Sequence, residues 1–401
     1  MISPFEFADL VRRGLVKQTT GDITEKLAKP VTFYVGFDPT ADSLHVGHLV
    51  QITTMWRLAK LGHDPIVLIG DGTARIGDPS GKQTSRPMLT TEEIEQNALG
   101  IEAQIGRLLP DATFVRNSDW LGEEPVLDFL RDIGSCFSVN VMLRAECFKA
   151  RLEEGLTFLE LSYMLMQAYD FLHLNIKHRC VLQVGGDDQW SNILAGVDLI
   201  RRKRLGVPAW ASRANEAFGM TLPLLVNADG TKMGKTEKGA VWLDRERTSV
   251  FDFFQYWRNI PDDKVRECFK LLSFEPIDKI EAMPLNTPAD MNAAKKLLAT
   301  ELTAMVHGNA DAVQALKQAE SVFEAGDTDA LEATTVPAGI DILSALVASG
   351  LAKSKTEARN LVLQRGVSVN DQLVEDTRLK ITSAVVLRKG KKTFKRLEIK
   401  A

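Results

Sequence analysis

The chain predicts an α/β protein whose first half is a doubly wound parallel sheet, followed by a helical region and a small basic α+β module. Three observations carry this. Short β-rich runs alternate with helix-length patterns up to about residue 225. Strand signals fade between about 249 and 322, where helical periodicity takes over. The last 66 residues, Val336 to Ala401, hold 13 Lys/Arg against 6 Asp/Glu, a net of +7 that leaves −11 for the rest.

The elements follow in order. VTFYVGF, Val31 to Phe37, is the first strand. A helical pattern runs from about Ser43 to Lys60 and is stopped by Gly62 and Pro65. PIVLIG, Pro65 to Gly70, is a buried-strand candidate. Thr157 and Glu160 form a T-x-x-E capping box. It opens a helix through LSYMLMQAYDFL, Leu161 to Leu172. CVLQVGG, Cys180 to Gly186, is a further strand, and GDDQWSNILAGVDLIRR starts another helix. Ligands of such a sheet bind beyond the carboxyl ends of its strands. The expected organisation is 1–225 as the sheet domain, 226–325 as a loop and helical domain, 326–338 as linker, and 339–401 as the basic module. In that module ILSALVASG is a short helix, SKTE caps a second, GVSVND leads into a turn at Asn370 and Asp371, and VVLRKGKKTFKRLEI is a hairpin around Gly390.

Composition sets the class. A chain of 401 residues with 45% apolar and 25% charged residues is an ordinary globular protein. No run approaches the ~20 apolar residues that span a membrane. No basic start leads into an apolar segment, so no signal peptide and no membrane partner are expected. The four cysteines (Cys136, Cys147, Cys180, Cys268) make no C-x-x-C pair, which argues for a cytoplasmic setting and against a protein metal site.

Three segments carry chemistry. In GFDPTADSLHVGHL, Gly36 to Leu49, His45 and His48 lie three apart at a helix start, where free backbone N–H groups favour an anion. Gly36 and Gly47 let a flat ligand approach the backbone. ADGTKMGKTEKG, Ala228 to Gly239, offers Lys232 and Lys235, and flexible lysines follow a polyphosphate. DGTARIGDPSGKQTSR, Asp71 to Arg86, adds Lys82 and Arg86. Each alone is an ordinary surface loop. On the Leu161–Leu172 helix, Tyr163, Gln167 and Asp170 sit at i, i+4 and i+7, a polar stripe on an apolar helix that needs a partner.

In this order the segments resemble the paired HIGH and KMSKS signatures of class I aminoacyl-tRNA synthetases. YVGFDPTADSLHVGH, IGDPSGK, SYMLMQAYD, GGDDQW and DGTKMGKTE are similar to bacterial tyrosyl-tRNA synthetases over nearly the whole chain, with an S4-like RNA-binding segment at the end. The resemblance implies a Rossmann-like catalytic domain, L-tyrosine, ATP with Mg²⁺ and tRNA(Tyr) as partners, a homodimer, and no tightly bound cofactor. It implies that Tyr163 and Gln167, with Asp78, hold the tyrosine ammonium, and that Asp170 and Tyr34 hold the phenol. Gln189 belongs to the same region, with Asp38 and Asp188 along the adenylate and Gly36 and Gly186 giving backbone access. Thr40 and His45 grip the γ-phosphate, while His48 and Gly47 lie against the nucleotide. Lys82, Arg86, Lys232 and Lys235, with Thr236 beside them, stabilise departing pyrophosphate.

Three departures stand out: Val46 for Ile in HIGH, Gly234 for the first Ser of KMSKS, and Asp187 where many relatives carry Ser, adding negative charge near the adenylate. Lys353, Lys355, Arg359 and Arg365, with Arg388, Lys389, Lys391 and Lys392, are the candidate phosphate contacts of the basic module. Rival readings are the tryptophanyl enzyme, a non-enzymatic RNA binder, and a small-molecule adenylate-forming ligase. The Asp170–Tyr34 pair, the intact motifs and the basic segment argue against them in turn.

Overall fold

The computed structural model describes residues 4–80, 88–205, 214–227, 230–236, 239–324, 333–370, 372–390 and 393–400. Contacts divide the chain into two compact units, Met1–Ser249 with Tyr256–Val306, and Val250–Gln255 with His307–Ala401.

The first unit is built on a six-stranded sheet of order β1-β6-β5-β2-β3-β4. Its strands are β1 (Gln18–Thr19), β2 (Thr32–Phe37), β3 (Asp64–Ile69), β4 (Thr113–Arg116), β5 (Cys180–Gly186) and β6 (Phe218–Leu222). All neighbours pair in parallel except the two-residue edge strand β1, which is antiparallel to β6. The chain climbs from β2 to β4 on one side, then crosses back to place β5 on the other side of β2. The carboxyl ends of β2 and β5 therefore flank the point where strand order reverses, the crevice that doubly wound sheets offer a ligand. Phe33, Val35 and Val67 are wholly buried, as sheets covered on both faces require.

Three of the expected strands and the long helix are present. The helix runs from Phe158 to His178. Its capping box forms reciprocally: Thr157 Oγ1 accepts from Glu160 N at 3.2 Å, and Glu160 Oε2 accepts from Thr157 N at 3.0 Å. The helix expected from about Ser43 begins later. Val46–His48 is a 3₁₀ turn and the α-helix spans Leu49–Lys60. The reason is local: His45 is extended (φ −121°, ψ 170°), and ring nitrogens cap the free N–H groups there, Gly47 N donating to His45 Nδ1 and His45 N to His48 Nδ1, each at 3.1 Å. At the other end of this helix, Arg57 donates to the carbonyls of Leu271 (3.4 Å) and Ser273, holding it to the helix Val265–Leu272.

In the second unit the stretch expected as linker contains a strand. Ala333–Pro337 pairs in parallel with Thr393–Lys400 at the edge of a five-stranded sheet. Its β-branched Thr334, Thr335 and Val336 suit that edge, although the surrounding small residues obscure the signal. The hairpin of Val385–Lys389 with Thr393–Lys400 is as expected. So are the helices Ile342–Ala348 and Lys355–Leu363, which pack on a core that includes Ile342, Leu346, Leu387 and Leu397.

Because the Thr157 box anchors the helix that bears the polar stripe, Thr157→Ala should destabilise the protein by about 1 kcal/mol and Thr157→Ser by much less. Denaturant unfolding of both variants measures this. Equal losses would show that the hydroxyl carries none of the cap.

Candidate active site

A cavity of about 450 Å³ opens at the carboxyl ends of β2 and β5. From β2 and the segment after it come Tyr34, Gly36, Asp38 and Thr40. The 3₁₀ turn and the following helix bring His45, Gly47, His48 and Gln51. The Phe158–His178 helix contributes Tyr163, Gln167 and Asp170. Gln183, Gly185, Asp188 and Gln189 arrive with β5 and the turn beyond it, and Asp78 and Lys232 complete the wall. Gly185, not Gly186, lines the cavity; a Cβ on Gly186 would instead meet Asp188 and Leu224 at 2.7 and 3.0 Å. Lys82 and Arg86 lie outside the described residues, as do the side chains of Lys235 and Thr236. The backbone of those two pairs antiparallel with Gly239–Ala240.

Asp170 sits at the closed end, 1% exposed. Trp120 Nε1 donates to its Oδ1 at 2.8 Å and Asn117 Nδ2 to its Oδ2 at 3.0 Å. Each oxygen keeps lone-pair capacity for a ligand. Burial pushes the carboxyl up to about 7, against the pull of the Asn117 and Trp120 donors. Tyr34, also 1% exposed, has no partner for its hydroxyl, and burial raises its phenol well above the usual range. Gln51, Gln167 and Gln183 each hold a buried, unpartnered Oε1. Four unmet polar groups around one cavity mark a place shaped for a polar ligand.

The network runs the length of the pocket. Asn117 Nδ2 also reaches Thr73 Oγ1 at 3.0 Å, Thr73 Oγ1 donates to Asp38 Oδ1 at 2.9 Å, and Tyr163 Oη donates to Asp38 Oδ2 at 2.8 Å. Asp78 is held by Gln189 Nε2 at 2.8 Å and Ser80 N at 2.9 Å. Thr73, Asn117 and Trp120 were not among the sequence candidates. Asn117 and Trp120 follow β4, a four-residue strand whose TFVR run carries little periodicity, and only their approach to Asp170 reveals them.

At the open end the rings of His45 and His48 lie 4.1 Å apart. His45 Nδ1 accepts from Gly47 N, so its neutral tautomer carries hydrogen at Nε2, while His48 Nδ1 faces both His45 N at 3.1 Å and His45 O at 3.3 Å. Burial, with help from His45, pushes His48 down to about 3, so it works as a neutral donor. A Cβ on Gly47 would stand 2.8 Å from His45 Cε1, and only glycine leaves that ring its place. At Gly36 a Cβ would meet nothing nearer than Leu68 at 3.9 Å, so the space there belongs to the cavity. Lys232 Nζ pairs with Asp188 Oδ2 at 2.9 Å.

The departures from the motifs are connected. Gly234 has φ +81°, and a Cβ there would fall 2.3 Å from Val46 Cγ2. Backbone bonds through Val241 join the two segments: Val46 N donates to Val241 O at 3.0 Å and Val241 N to Gly234 O at 2.7 Å. The glycine thus allows the lysine loop to close on the histidine turn. Asp187 does not face the cavity. Its Oδ1 accepts from Gln18 Nε2 at 2.7 Å and Thr221 Oγ1 at 2.8 Å, tying β1 and β6 to the turn after β5.

In the second unit Lys353, Lys355 and Arg359 are exposed. Arg365 pairs with Glu375 at 2.8 Å. Lys389 is held by Leu351 O and Glu357, at 3.1 and 3.2 Å, and serves the fold. Arg388 lies over the Phe394 ring, and Lys391 and Lys392 lie outside the described residues.

A parallel sheet whose switch point gathers a histidine turn, a lysine loop and a buried polar pocket is the architecture of a class I aminoacyl-tRNA synthetase. A family model for tRNA synthetases class I (W and Y) matches residues 25–324, and the chain belongs to that family. Residues 323–397 match the tyrosine--tRNA ligase SYY-like C-terminal domain. The tyrosine--tRNA ligase of Acetivibrio thermocellus is 48% identical, over 98% of this chain and 99% of its own length. That of Clostridium kluyveri is 46% identical over 98% of each. Among solved structures, a C-terminally truncated Aspergillus nidulans mitochondrial tyrosyl-tRNA synthetase aligns with TM-score 0.70 and 30% identity, covering 79% of this chain and 94% of that one. A tryptophanyl-tRNA synthetase from Encephalitozoon cuniculi shares the fold at TM-score 0.54 and 12% identity, covering 77% and 87%.

Removing the indole donor with Trp120→Phe withdraws a bond that favours the Asp170 carboxylate, so protonation of Asp170 should move from near 7 to higher pH. The carboxyl infrared band, referenced to Asp170→Asn, reads this directly. A lower or unchanged value would contradict the assigned bond.

Proposed function

We propose that the protein is a tyrosine--tRNA ligase. It activates L-tyrosine with ATP to tyrosyl-adenylate and pyrophosphate, then transfers tyrosine to the 3′-terminal adenosine of tRNA(Tyr). The observation that carries the substrate choice is Asp170 facing the same cavity as the unpartnered Tyr34 hydroxyl. A phenol donates to the carboxylate and accepts from Tyr34. Phenylalanine leaves the Tyr34 hydroxyl unmet and offers Asp170 no further donor, and stranding such a buried hydroxyl costs about 1–3 kcal/mol. An indole N–H answers only the acceptor.

At the other end of the pocket Asp78, Gln167 and Tyr163 receive the ammonium. The tyrosine carboxylate then attacks the α-phosphate of ATP, and the bond to pyrophosphate breaks. No side chain acts as nucleophile or base, so the rate comes from position and charge. The Nε2–H of His45 and the ring of His48, with Thr40, meet the phosphates. Lys232, Lys235, Thr236, Lys82 and Arg86 receive charge as pyrophosphate departs. Asp38, Asp188 and Gln189 border the adenylate, and Gly36, Gly47 and Gly185 keep the backbone low beside it.

Mg²⁺ enters with ATP; among the described residues no cluster of three or more His, Cys, Asp or Glu could hold a metal. In domain terms, residues 1–225 carry activation, 226–325 the lysine loop and helices, and the module that begins with the strand Ala333–Pro337 binds tRNA. Lys353, Lys355 and Arg359 are the basic residues best placed for its phosphates. A homodimer is supported by exposed apolar side chains concentrated between 126 and 158: Val126, Leu127, Val139, Val141 and Phe158, at 54–77% exposure. The proposed setting is the cytoplasm, consistent with four free cysteines. Among the described residues no helix is long and apolar enough to cross a membrane.

Amino-acid-dependent ATP–pyrophosphate exchange across all twenty amino acids tests the reading, with tyrosine alone expected to support it. Asp170→Asn should cut kcat/KM for tyrosine by roughly tenfold to a hundredfold, the loss of one charged hydrogen bond. Wild-type kcat/KM in the folded variant would refute the assignment.

His45→Ala should slow single-turnover adenylate formation while leaving tyrosine affinity within about twofold, because its contact matures with the phosphate charge. A loss confined to tyrosine binding would place His45 elsewhere in the reaction.

A further inference from the structure

β5 is a central strand of the sheet, and Leu182 and Val184 are the kind of residue such a strand carries. Between them stands Gln183, 3% exposed, with a buried Oε1 that no group in the structure satisfies. An amide oxygen left this way is costly, so it calls for a partner supplied by the bound state. Its position says what that partner is. Gln183 is the register partner of Tyr34 across the β2–β5 pair. Register partners on neighbouring parallel strands point to the same face, about 4.8 Å apart. Both side chains line the cavity, and both end in an unpartnered buried polar atom. The opposite helix leaves room for the amide: a Cβ on Gly196 would come within 3.3 Å of Gln183 Oε1 and 3.1 Å of Phe171 Cδ1. Phe171 packs on Tyr34 at 5.4 Å, and the same Gly196 position borders both Phe171 and the Gln183 amide, so ring, wall and amide share one corner of the cavity.

We propose that Gln183 is a positioning residue for substrate specificity, holding the Tyr34 hydroxyl in the orientation that recognises a phenol. This rests on the tyrosine reading above. When a phenol is bound, its O–H donates to Asp170 and its oxygen accepts from Tyr34. The Tyr34 oxygen then has lone pairs facing Gln183, whose Nε2–H supplies the donor directly or through one ordered water, while Oε1 takes a hydrogen of that water. An apolar residue at 183 lets the Tyr34 hydroxyl turn away and leaves its oxygen unmet. Phenylalanine never engages the Tyr34 hydroxyl and is indifferent to the change.

The test is the ratio of kcat/KM for tyrosine over phenylalanine in ATP–pyrophosphate exchange, for wild type, Gln183→Met, Tyr34→Phe and the double variant. Methionine keeps the length and removes only the polar end. Gln183→Met is expected to lower the ratio about tenfold through tyrosine alone, and in the Tyr34→Phe background the same change should move the ratio less than about twofold. Gln183→Leu provides the same comparison should the methionine variant fold poorly, with thermal melting of each protein as the control. A ratio unchanged in the single variant, or both substrates losing equally, would reduce Gln183 to a packing residue and overturn the proposal. A full tenfold effect persisting without the Tyr34 hydroxyl would overturn the route through Tyr34. Absence of tyrosine-dependent exchange in the wild type would overturn the functional reading, and this inference with it. Normal wild-type exchange with an unmoved ratio would overturn this inference alone.

Discussion

Everything at the site depends on keeping one carboxylate, Asp170, out of water. Its environment resists the charge, and the carboxyl sits near 7 instead of the usual acidic range. Two donors make the charge tolerable, and each comes from the segment after β4. Asn117 passes the constraint on to Thr73, Thr73 to Asp38, and Asp38 to Tyr163. A single hydrogen-bonded line therefore sets the geometry at both ends of the amino-acid pocket. Low dielectric makes each bond in it stronger and each missing partner more costly. The unpartnered Tyr34, Gln167 and Gln183 groups are the places where that line waits for a ligand.

The open end, where the proposed reading puts the nucleotide, works on different physics. Here neutral donors and backbone approach matter more than fixed charge. His48 is held neutral by burial, and the backbone of their own turn holds both imidazoles through Nδ1. The positive charge is kept on Lys232, which is paired with Asp188. That pairing satisfies the lysine until phosphate competes for it. Val46 and Gly234 show how the two signature segments depend on each other, since the methyl of one occupies the space that the other lacks a side chain to fill.

Much of this was legible before any coordinates. The capping box at Thr157, the stripe at Tyr163, Gln167 and Asp170, and strands β2, β3 and β5 follow from local rules of spacing and propensity. The two histidines at a helix start were legible but not the 3₁₀ turn they form, because the extended backbone at His45 and the ring-to-backbone caps leave no trace in the spacing. The strand at Ala333–Pro337 was hidden because its stability comes from pairing with Thr393–Lys400, some sixty residues away. Lys389 illustrates the opposite error: by charge it belongs with phosphate contacts, yet its ammonium is spent on Leu351 O and Glu357.

The sequence by itself determined the fold class, the order of the signature segments and the residue types of the pocket, because those are fixed by periodicity and by the chemistry of side chains close in the chain. Only the tertiary structure decided which groups meet. Asn117 and Trp120 reach Asp170 from 53 and 50 positions away and Gln183 stands beside Tyr34, while Asp187 turns from the cavity to Gln18 and Thr221. The physical reason is that a buried polar group is satisfied by whatever the fold brings within hydrogen-bond reach, and that neighbour is set by strand order and register.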